Sequence, residues 1–158
     1  MTRRAVTIVS STRAASGIYE DRTGPIIVAW LREHGFAADD ATVVPDGPAV
    51  TAALEAALAS RVDLVVTTGG TGVGPGDMTP DATAKLLTAP LPGFQEELRR
   101  RGAASTPTAI LSRGLAGVAG HTFVVNLPGS PGGVRDGLGL LGEVVDHVLD
   151  QLAGGNHG

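Results

Sequence analysis

Short apolar runs alternate with segments of helical periodicity along most of the chain. The apolar runs are too short for helices and therefore predict buried strands. Between them, apolar residues recur every three or four positions, which is typical of helices with one buried face. The pattern predicts strands at residues 5–10, 41–44, 62–66 and 122–127, and a further buried element at 109–112. It predicts helices at residues 25–35, 48–59 and 91–102, from residue 79 onward, and at 134–152.

The order of these elements predicts an α/β fold with a mainly parallel sheet covered by helices. Helical segments lie between successive strands, as connections between parallel strands require. Glycine- and proline-rich turns separate the elements, and no internal repeat or linker divides them. We therefore expect one domain over residues 1–153, followed by a flexible tail at 154–158.

Composition narrows the chemistry that the chain can perform. Apolar residues make up 42% of the 158 residues, with only one Trp and one Tyr, so an aliphatic core is expected. The absence of cysteine excludes disulfides, thiolate catalysis and cysteine-ligated zinc. The formal net charge of −4 disfavours a nucleic-acid partner, since phosphate backbones need a basic surface. No apolar run is long enough to cross a bilayer and the N-terminus has no signal-peptide core, so a cytoplasmic protein without membrane contact is expected.

The stretch from residue 67 to residue 81 carries the strongest functional signal. It follows a predicted strand, contains repeated glycines, and leads into a helix at Thr79-Pro80. Glycines permit positive φ angles and expose backbone N–H groups, so such a loop can close around a phosphate at a helix N-terminus. The alternative is a long surface turn, but the hydroxyl groups of its threonines favour a ligand-binding loop. The candidate ligand contacts and hydroxyl donors here are Thr67, Thr68, Gly69, Gly70, Thr71 and Gly72.

Polar turns also follow the other predicted strands, at residues 10–17, 45–46 and 128–130. In an open parallel sheet, ligands bind beyond the carboxyl ends of the strands, so these turns are expected to meet the glycine loop there. Asp46 and Asp77 suit a hard cation such as Mg²⁺, although each could instead cap a turn. The absence of the Walker lysine argues against a P-loop NTPase, and no Ser-His-Asp set is recognisable.

Several motifs together resemble the MogA/MoaB family of molybdenum cofactor biosynthesis proteins. The central one is Thr68-Gly69-Gly70-Thr71-Gly72 followed by Asp77-Met78-Thr79-Pro80-Asp81. The likeness continues at Ser10-Ser11, Asp21-x-x-Gly24-Pro25, Val44-Pro45-Asp46, Pro92-Gly93-Phe94, Ala109-x-Leu111-Ser112-Arg113 and Asn126-Leu127-Pro128-Gly129-Ser130-Pro131. It therefore extends from about residue 4 to about residue 150. Two positions depart from the family pattern: Gly47 stands where an acid often follows Pro-Asp, and Gln95 replaces a frequent glycine.

The resemblance implies a three-layer α/β/α sandwich that assembles as a homotrimer. It also implies binding of molybdopterin and Mg·ATP, with transfer of AMP onto the terminal phosphate of the pterin and release of pyrophosphate. Asp46 and Asp77 match the two aspartates regarded as essential in active members and are the expected catalytic and Mg²⁺-binding residues. The residues expected to contact the two substrates are Ser10, Ser11, Thr68, Gly69, Gly70, Thr71, Gly72, Ser112, Pro128, Gly129 and Ser130.

Two other functions stay open at this point. One is a non-catalytic trimer of the same fold that binds molybdopterin; Asp46 and Asp77 favour the enzyme, whereas Gly47 counts slightly against it. The other is molybdate insertion into the pterin, which related longer proteins perform. Those proteins contain additional domains, which this chain is expected to lack. A separate molybdate-inserting enzyme is then the expected downstream partner.

Overall fold

Seven strands form a single mixed sheet across the part of the chain that the computed structural model describes, residues 2–155. The strand order is β2-β1-β4-β7-β6-β5, and β3 pairs with β1 beside β2. The pairs that β1 makes with β2, β3 and β4 are parallel, as is β4 with β7, while β6 is antiparallel to both β5 and β7. The strands are β1 (Arg4–Ser10), β2 (Ala37–Ala38), β3 (Thr42–Val44), β4 (Leu64–Thr68), β5 (Ala89–Pro90), β6 (Ala116–Ala119) and β7 (Thr122–Leu127).

Helices cover both faces of this sheet, which confirms the predicted α/β fold. One hydrophobic cluster joins α2, α5 and α6 to one face, and a second joins α3 and α4 to the other. Successive residues of a strand point to opposite faces, so Leu64 and Val66 enter the first cluster and Val65 the second. The helices are α1 (Thr12–Ala15), α2 (Thr23–Glu33), α3 (Pro48–Ala59), α4 (Thr79–Ala84), α5 (Pro92–Ala103) and α6 (Pro131–Leu152), with a 3-10 helix at Pro107–Leu111.

The chain reverses its direction of travel across the sheet next to β1. From β1 it passes to β2 and β3 on one side, and then returns to β4 on the other side. Loops leaving β1 and β4 therefore diverge, and a crevice opens between the carboxyl ends of the two strands. Ser10 ends β1 and Thr68 ends β4, so the polar turns identified in the sequence border this crevice.

The structure corrects one predicted element outright. Residues 109–112 were expected to be buried, but they belong to the 3-10 helix and its C-terminal cap, where Ile110 is 62% exposed and Leu111 is 55% exposed. A short apolar run has the same composition in a strand and in a surface turn, so hydrophobicity alone cannot separate the two.

Other boundaries shift by a few residues for identifiable reasons. Helix α2 begins at Thr23 rather than residue 25, because the Asp21 carboxylate accepts hydrogen bonds from the backbone N–H groups of Thr23 and Gly24. The expected turn after β1 contains the four-residue helix α1, which the Ser11 hydroxyl caps. Of the expected tail, Gly154 and Gly155 follow the end of α6, and residues 156–158 lie outside the described part. No helix within residues 2–155 has the length and apolar character needed to cross a bilayer.

Candidate functional site

The glycine loop passes directly against the end of β1. Gly69 and Gly70 have φ angles of +86° and +66°, which side-chain-bearing residues rarely adopt. A Cβ atom on Gly69 would collide with the carbonyl oxygen of Ser10, and one on Gly70 would collide with the Thr79 hydroxyl. Glycine is therefore required at both positions for the loop to lie where it does.

Asp77 closes the same loop on itself. Its backbone N–H donates to the Gly74 carbonyl at 3.0 Å, and its carboxylate oxygen Oδ2 accepts from the Gly74 N–H at 3.0 Å. A Cβ on Gly72 would lie 2.8 Å from the same Oδ2. The Asp77 carboxylate thus faces the glycine-rich segment, and its second oxygen, Oδ1, makes no hydrogen bond to the described residues.

Arg113 fixes the loop from outside, a role that the sequence did not reveal. Its backbone N–H donates to the Thr71 carbonyl at 2.8 Å, and its guanidinium donates to the carbonyls of Gly72 at 2.8 Å and Asp77 at 2.6 Å. The same guanidinium lies 3.4 Å from the Asp81 carboxylate at the start of α4. The motif Ser112-Arg113 was visible in the sequence, but nothing local indicates contacts with residues about forty positions away.

Asp46 is held beside the end of β1 by two hydroxyl groups. Ser10 Oγ donates to Asp46 Oδ1 at 2.5 Å, and Thr12 Oγ1 donates to Oδ2 at 3.2 Å. The Thr12 hydroxyl also accepts from the backbone N–H of Asp46 at 3.1 Å. The turn after β3 is therefore tied to helix α1, and the carboxylate is fixed in orientation.

Asp46 and Asp77 line one cavity of about 620 Å³, which we term the carboxylate cavity. Its polar lining offers oxygen ligands from the two carboxylates and from the hydroxyls of Ser10 and Ser11, and it also includes the guanidinium of Arg13. Hard cations such as Mg²⁺ prefer such oxygens, so the donor set fits the ion that the resemblance implies. Gly70 and the exposed side chains of Ile18 and Tyr19 also border this cavity.

A second cavity of about 600 Å³ lies between α5, the 3-10 helix and the start of α6, and we term it the α5–α6 cavity. Arg99 and Asp136 are the charged residues that border it. Five of the expected site residues border it and do not reach the carboxylate cavity, namely Thr71, Gly72, Ser112, Pro128 and Ser130.

The crevice between β1 and β4 forms a third cavity, of about 360 Å³. Ser10 and Ser11 border it as well as the carboxylate cavity, and Thr68, Gly69 and Gly129 border it from β4 and β7. The expected site residues are thus gathered at one edge of the sheet but are distributed over three neighbouring cavities.

Two threonines assigned to the loop belong instead to strand β4. Thr67 and Thr68 are fully buried, and their hydroxyls have partners inside the protein. Thr67 Oγ1 accepts from the Asn126 side-chain amide at 2.9 Å, and Thr68 Oγ1 donates to the Pro128 carbonyl at 2.7 Å. The Thr67 hydroxyl therefore supports the fold, and its expected role as a ligand donor in the loop was wrong.

The two departures from the family pattern have local structural consequences. Gly47 has a φ angle of +104° and caps helix α3, a conformation in which an acidic side chain would be strained. Gln95 is buried, and its amide donates to the carbonyls of Leu115 at 3.0 Å and Asn126 at 2.8 Å.

Comparison with known proteins shows the family to which the chain is similar. A family model described as "Probable molybdopterin binding domain" matches residues 5–147. The molybdopterin adenylyltransferase of Helicobacter pylori is 35% identical over 92% of this chain and 85% of that protein. Among solved structures, the Mog protein of Mycobacterium ulcerans is 53% identical with a TM-score of 0.92, covering 95% of this chain and 99% of that one. MoaB of Thermus thermophilus is 39% identical with a TM-score of 0.85, covering 98% of both chains.

The chain spans about half the length of some curated relatives. The molybdenum cofactor biosynthesis bifunctional protein of Synechococcus elongatus is 42% identical over 98% of this chain but only 49% of that protein. The bifunctional protein of Chlorobaculum tepidum is 39% identical over 98% of this chain and 50% of that protein. The family model and the full-length structural matches nevertheless cover nearly the whole sequence, and the chain belongs to the MogA/MoaB family of molybdenum cofactor biosynthesis proteins.

Proposed function

We propose that the protein is a molybdopterin adenylyltransferase, which transfers AMP from ATP to the terminal phosphate of molybdopterin and releases pyrophosphate. The observation that carries this proposal is that one glycine loop borders two cavities. Gly70 and Asp77 border the carboxylate cavity, whereas Thr71 and Gly72 border the α5–α6 cavity. Two substrates bound in these cavities would approach each other at the loop, as a group transfer requires.

The nucleotide is assigned to the carboxylate cavity. Asp46 and Asp77 are the residues that would hold Mg²⁺, and the ion when bound would neutralise negative charge on the triphosphate. The Ser10 and Thr12 hydroxyls keep the Asp46 carboxylate in place before the nucleotide arrives. Backbone N–H groups of the glycine loop provide further donors for phosphate oxygens.

Molybdopterin is assigned to the α5–α6 cavity. The lining of this cavity places hydroxyl groups, from Ser112 and Ser130 among others, beside the apolar side chains of Leu98 and Pro128. Small-molecule sites of this kind combine apolar walls with a few polar groups that fix orientation. The relatives named molybdopterin adenylyltransferase support this choice of ligand.

The reaction needs no residue that carries a proton. A terminal phosphate oxygen of molybdopterin attacks the α-phosphorus of ATP, and the bond from that phosphorus to the bridging oxygen breaks. Pyrophosphate leaves with the electron pair of that bond. Because the attacking phosphate is already an anion, catalysis rests on positioning and charge neutralisation. The site supplies both through its two carboxylates, hydroxyls and loop N–H groups.

The test is to incubate the pure protein with molybdopterin, ATP and Mg²⁺ and to follow pyrophosphate release together with adenylated pterin. Equimolar formation of the two products is expected. Molybdopterin binding without either product would instead indicate a non-catalytic binding protein, and absence of binding would reject the proposal altogether.

We further propose that the chain assembles as a homotrimer and passes its adenylated product to a molybdate-inserting enzyme. Large apolar side chains that a monomer would leave in water support an assembly: Val73 is 75% exposed, and Ile110 and Leu111 also project into solvent. Light scattering at micromolar concentration is expected to give the mass of three chains, and a stable monomer would contradict this assembly.

A further inference from the structure

One carboxylate in the α5–α6 cavity has no partner within the protein. Asp136 of helix α6 is partly buried and borders this cavity, yet it makes no hydrogen bond or ion pair to any described residue. Other acids of the same helix do have partners: Glu143 pairs with Arg101 and Asp146 pairs with Arg3. When the protein provides no donor to a carboxylate in a cavity, water or a ligand must donate hydrogen bonds to it.

Several other polar groups of the cavity are already engaged, whereas hydroxyls such as that of Thr108 are neutral and can donate or accept. The Gln95 amide donates to two backbone carbonyls, and Ser130 Oγ accepts from the Gly133 N–H at 3.1 Å. Arg99 donates one hydrogen bond, to the Ser112 carbonyl at 3.2 Å, and retains further N–H groups. Arg99 and Asp136 border the same space but do not approach within the 4.0 Å of an ion pair. The cavity thus offers a separate acceptor and a separate donor to a ligand.

A pterin ring has an edge that complements this arrangement. Its 2-amino group and its neighbouring ring N–H point in nearly the same direction, as the two N–H groups of a guanidinium do. A carboxylate can accept from both at once, and such paired, charge-assisted hydrogen bonds are both strong and directional. The adjacent 4-oxo group is an acceptor, which the remaining donors of the cavity can satisfy.

The position of Asp136 fits the far end of the ligand rather than its phosphate. It lies six residues after Ser130, the N-cap of α6, which corresponds to roughly 9 Å along the helix. The phosphate to be adenylated must lie near the glycine loop, where the cavity meets the nucleotide. The ring edge can then extend along α6 towards Asp136.

We propose that Asp136 is a specificity-determining residue that binds the 2-amino and ring N–H edge of the pterin. This inference rests on the proposed function, since it takes molybdopterin as the ligand of the α5–α6 cavity. It assigns recognition of the ring to one carboxylate and separates it from the aspartates that serve the nucleotide.

The test compares molybdopterin affinity in the wild-type protein, Asp136→Asn and Asp146→Asn. We expect Asp136→Asn to weaken binding by roughly ten- to hundredfold, because it removes charge-assisted hydrogen bonds to the pterin. Asp146→Asn is the matched control, because it makes the same change on the same helix at a side chain that is 81% exposed and outside the cavity. The thermal midpoint of Asp136→Asn should match that of the wild type, since the carboxylate has no partner in the fold.

A second measurement tests the ring edge directly. In the wild-type protein, 6-carboxypterin should displace molybdopterin better than 6-carboxylumazine, which carries oxygen in place of the 2-amino group. Asp136→Asn should abolish this preference. Unchanged molybdopterin affinity in Asp136→Asn, or no preference in the wild type, would overturn the proposal while leaving the adenylyltransferase in place. Failure of the wild type to bind molybdopterin would instead reject the proposed function, and this inference with it.

Discussion

Ser10 Oγ donates a 2.5 Å hydrogen bond to Asp46 Oδ1, which joins the last residue of β1 to the turn after β3. The two strands pair in parallel up to Ser10 and Val44, so their ends are already adjacent before the side chains meet. The hydrogen bond is therefore a consequence of strand register. It fixes the orientation of the Asp46 carboxylate at the rim of the carboxylate cavity.

Removing this hydroxyl is expected to impair AMP transfer without unfolding the protein. In Ser10→Ala, the Asp46 carboxylate loses a donor and keeps only the contacts with Thr12. A hydrogen bond to a charged group contributes about 1.5–3 kcal/mol, so a loss of roughly tenfold or more in rate at limiting Mg²⁺ is expected. Ser16→Ala serves as the control, because that exposed hydroxyl bonds only to the Arg13 carbonyl. Equal Mg²⁺ dependence in the two variants would show that Ser10 does not position Asp46.

The two aspartates themselves are expected to act on the nucleotide and not on the pterin. Asp46→Asn and Asp77→Asn keep the side-chain size but remove the negative charge that a cation requires. Loss of a group that stabilises developing charge costs ~10²–10³ in rate, so each variant should lose AMP transfer by about that factor. Molybdopterin affinity should persist, because neither residue borders the α5–α6 cavity. Near-normal transfer in both would remove them from the mechanism, and loss of pterin binding would make them ligand contacts.

Alanine substitutions at two glycines of the loop test whether its backbone conformation is needed for ligand binding. Gly70 has positive φ and no room for a Cβ beside Thr79, so Gly70→Ala must displace the loop. Such strain costs about 1–3 kcal/mol, and binding of ATP and molybdopterin measured by calorimetry should weaken. Gly76→Ala is the matched control within the loop, since a Cβ there meets nothing and its φ is not positive. Normal binding by Gly70→Ala would reduce the loop to a connecting turn.

The sequence predicted those parts of the fold that are set by local periodicity. Helix α3 was predicted at the residues where it occurs, and β7 likewise, because each has a pattern that its own side chains complete. The short strands β2, β5 and β6 were missed. They contain two to four residues; β2 and β5 are defined by pairing with strands distant in the chain, and β6 by its hairpin with β7.

The same distinction applies to the candidate site. That the turns with Ser10, Asp46 and Asp77 would lie together followed from a general rule about the carboxyl ends of strands. The contacts of Arg113 and the isolation of Asp136 did not follow, because both depend on which groups face each other across elements far apart in the chain. Local patterns contain no information on whether an arginine or aspartate finds a partner.

An ion-pair network on α5 predicts a small acid-sensitive contribution to stability. Hydrogen bonds from Arg100 and then Arg101 lower the pKa of Glu97 to about 2. Because the folded-state pKa is depressed, this contribution is fully present above the ordinary glutamate pKa and is lost as pH falls through about 2. The network lies at the surface, so its effect should be modest and weakened by salt. The difference in thermal midpoint between wild type and Glu97→Gln should therefore be larger at pH 7 than at pH 2.5, and an equal difference at both would contradict the assignment.

Arg113 is expected to hold both substrate sites through the loop between them. Its guanidinium donates to the carbonyls of Gly72, which borders the α5–α6 cavity, and Asp77, which borders the carboxylate cavity. Arg113→Lys retains the charge but cannot reproduce the forked geometry, so both contacts cannot be kept together. We expect faster amide hydrogen exchange across residues 69–77 and roughly tenfold weaker binding of both ATP and molybdopterin, on the scale of one lost charged hydrogen bond. Arg135→Lys, at an exposed position of α6, is the control for the same chemical change. If Arg113→Lys weakened only one ligand and left loop exchange unchanged, Arg113 would be a contact of that ligand rather than a support of the loop.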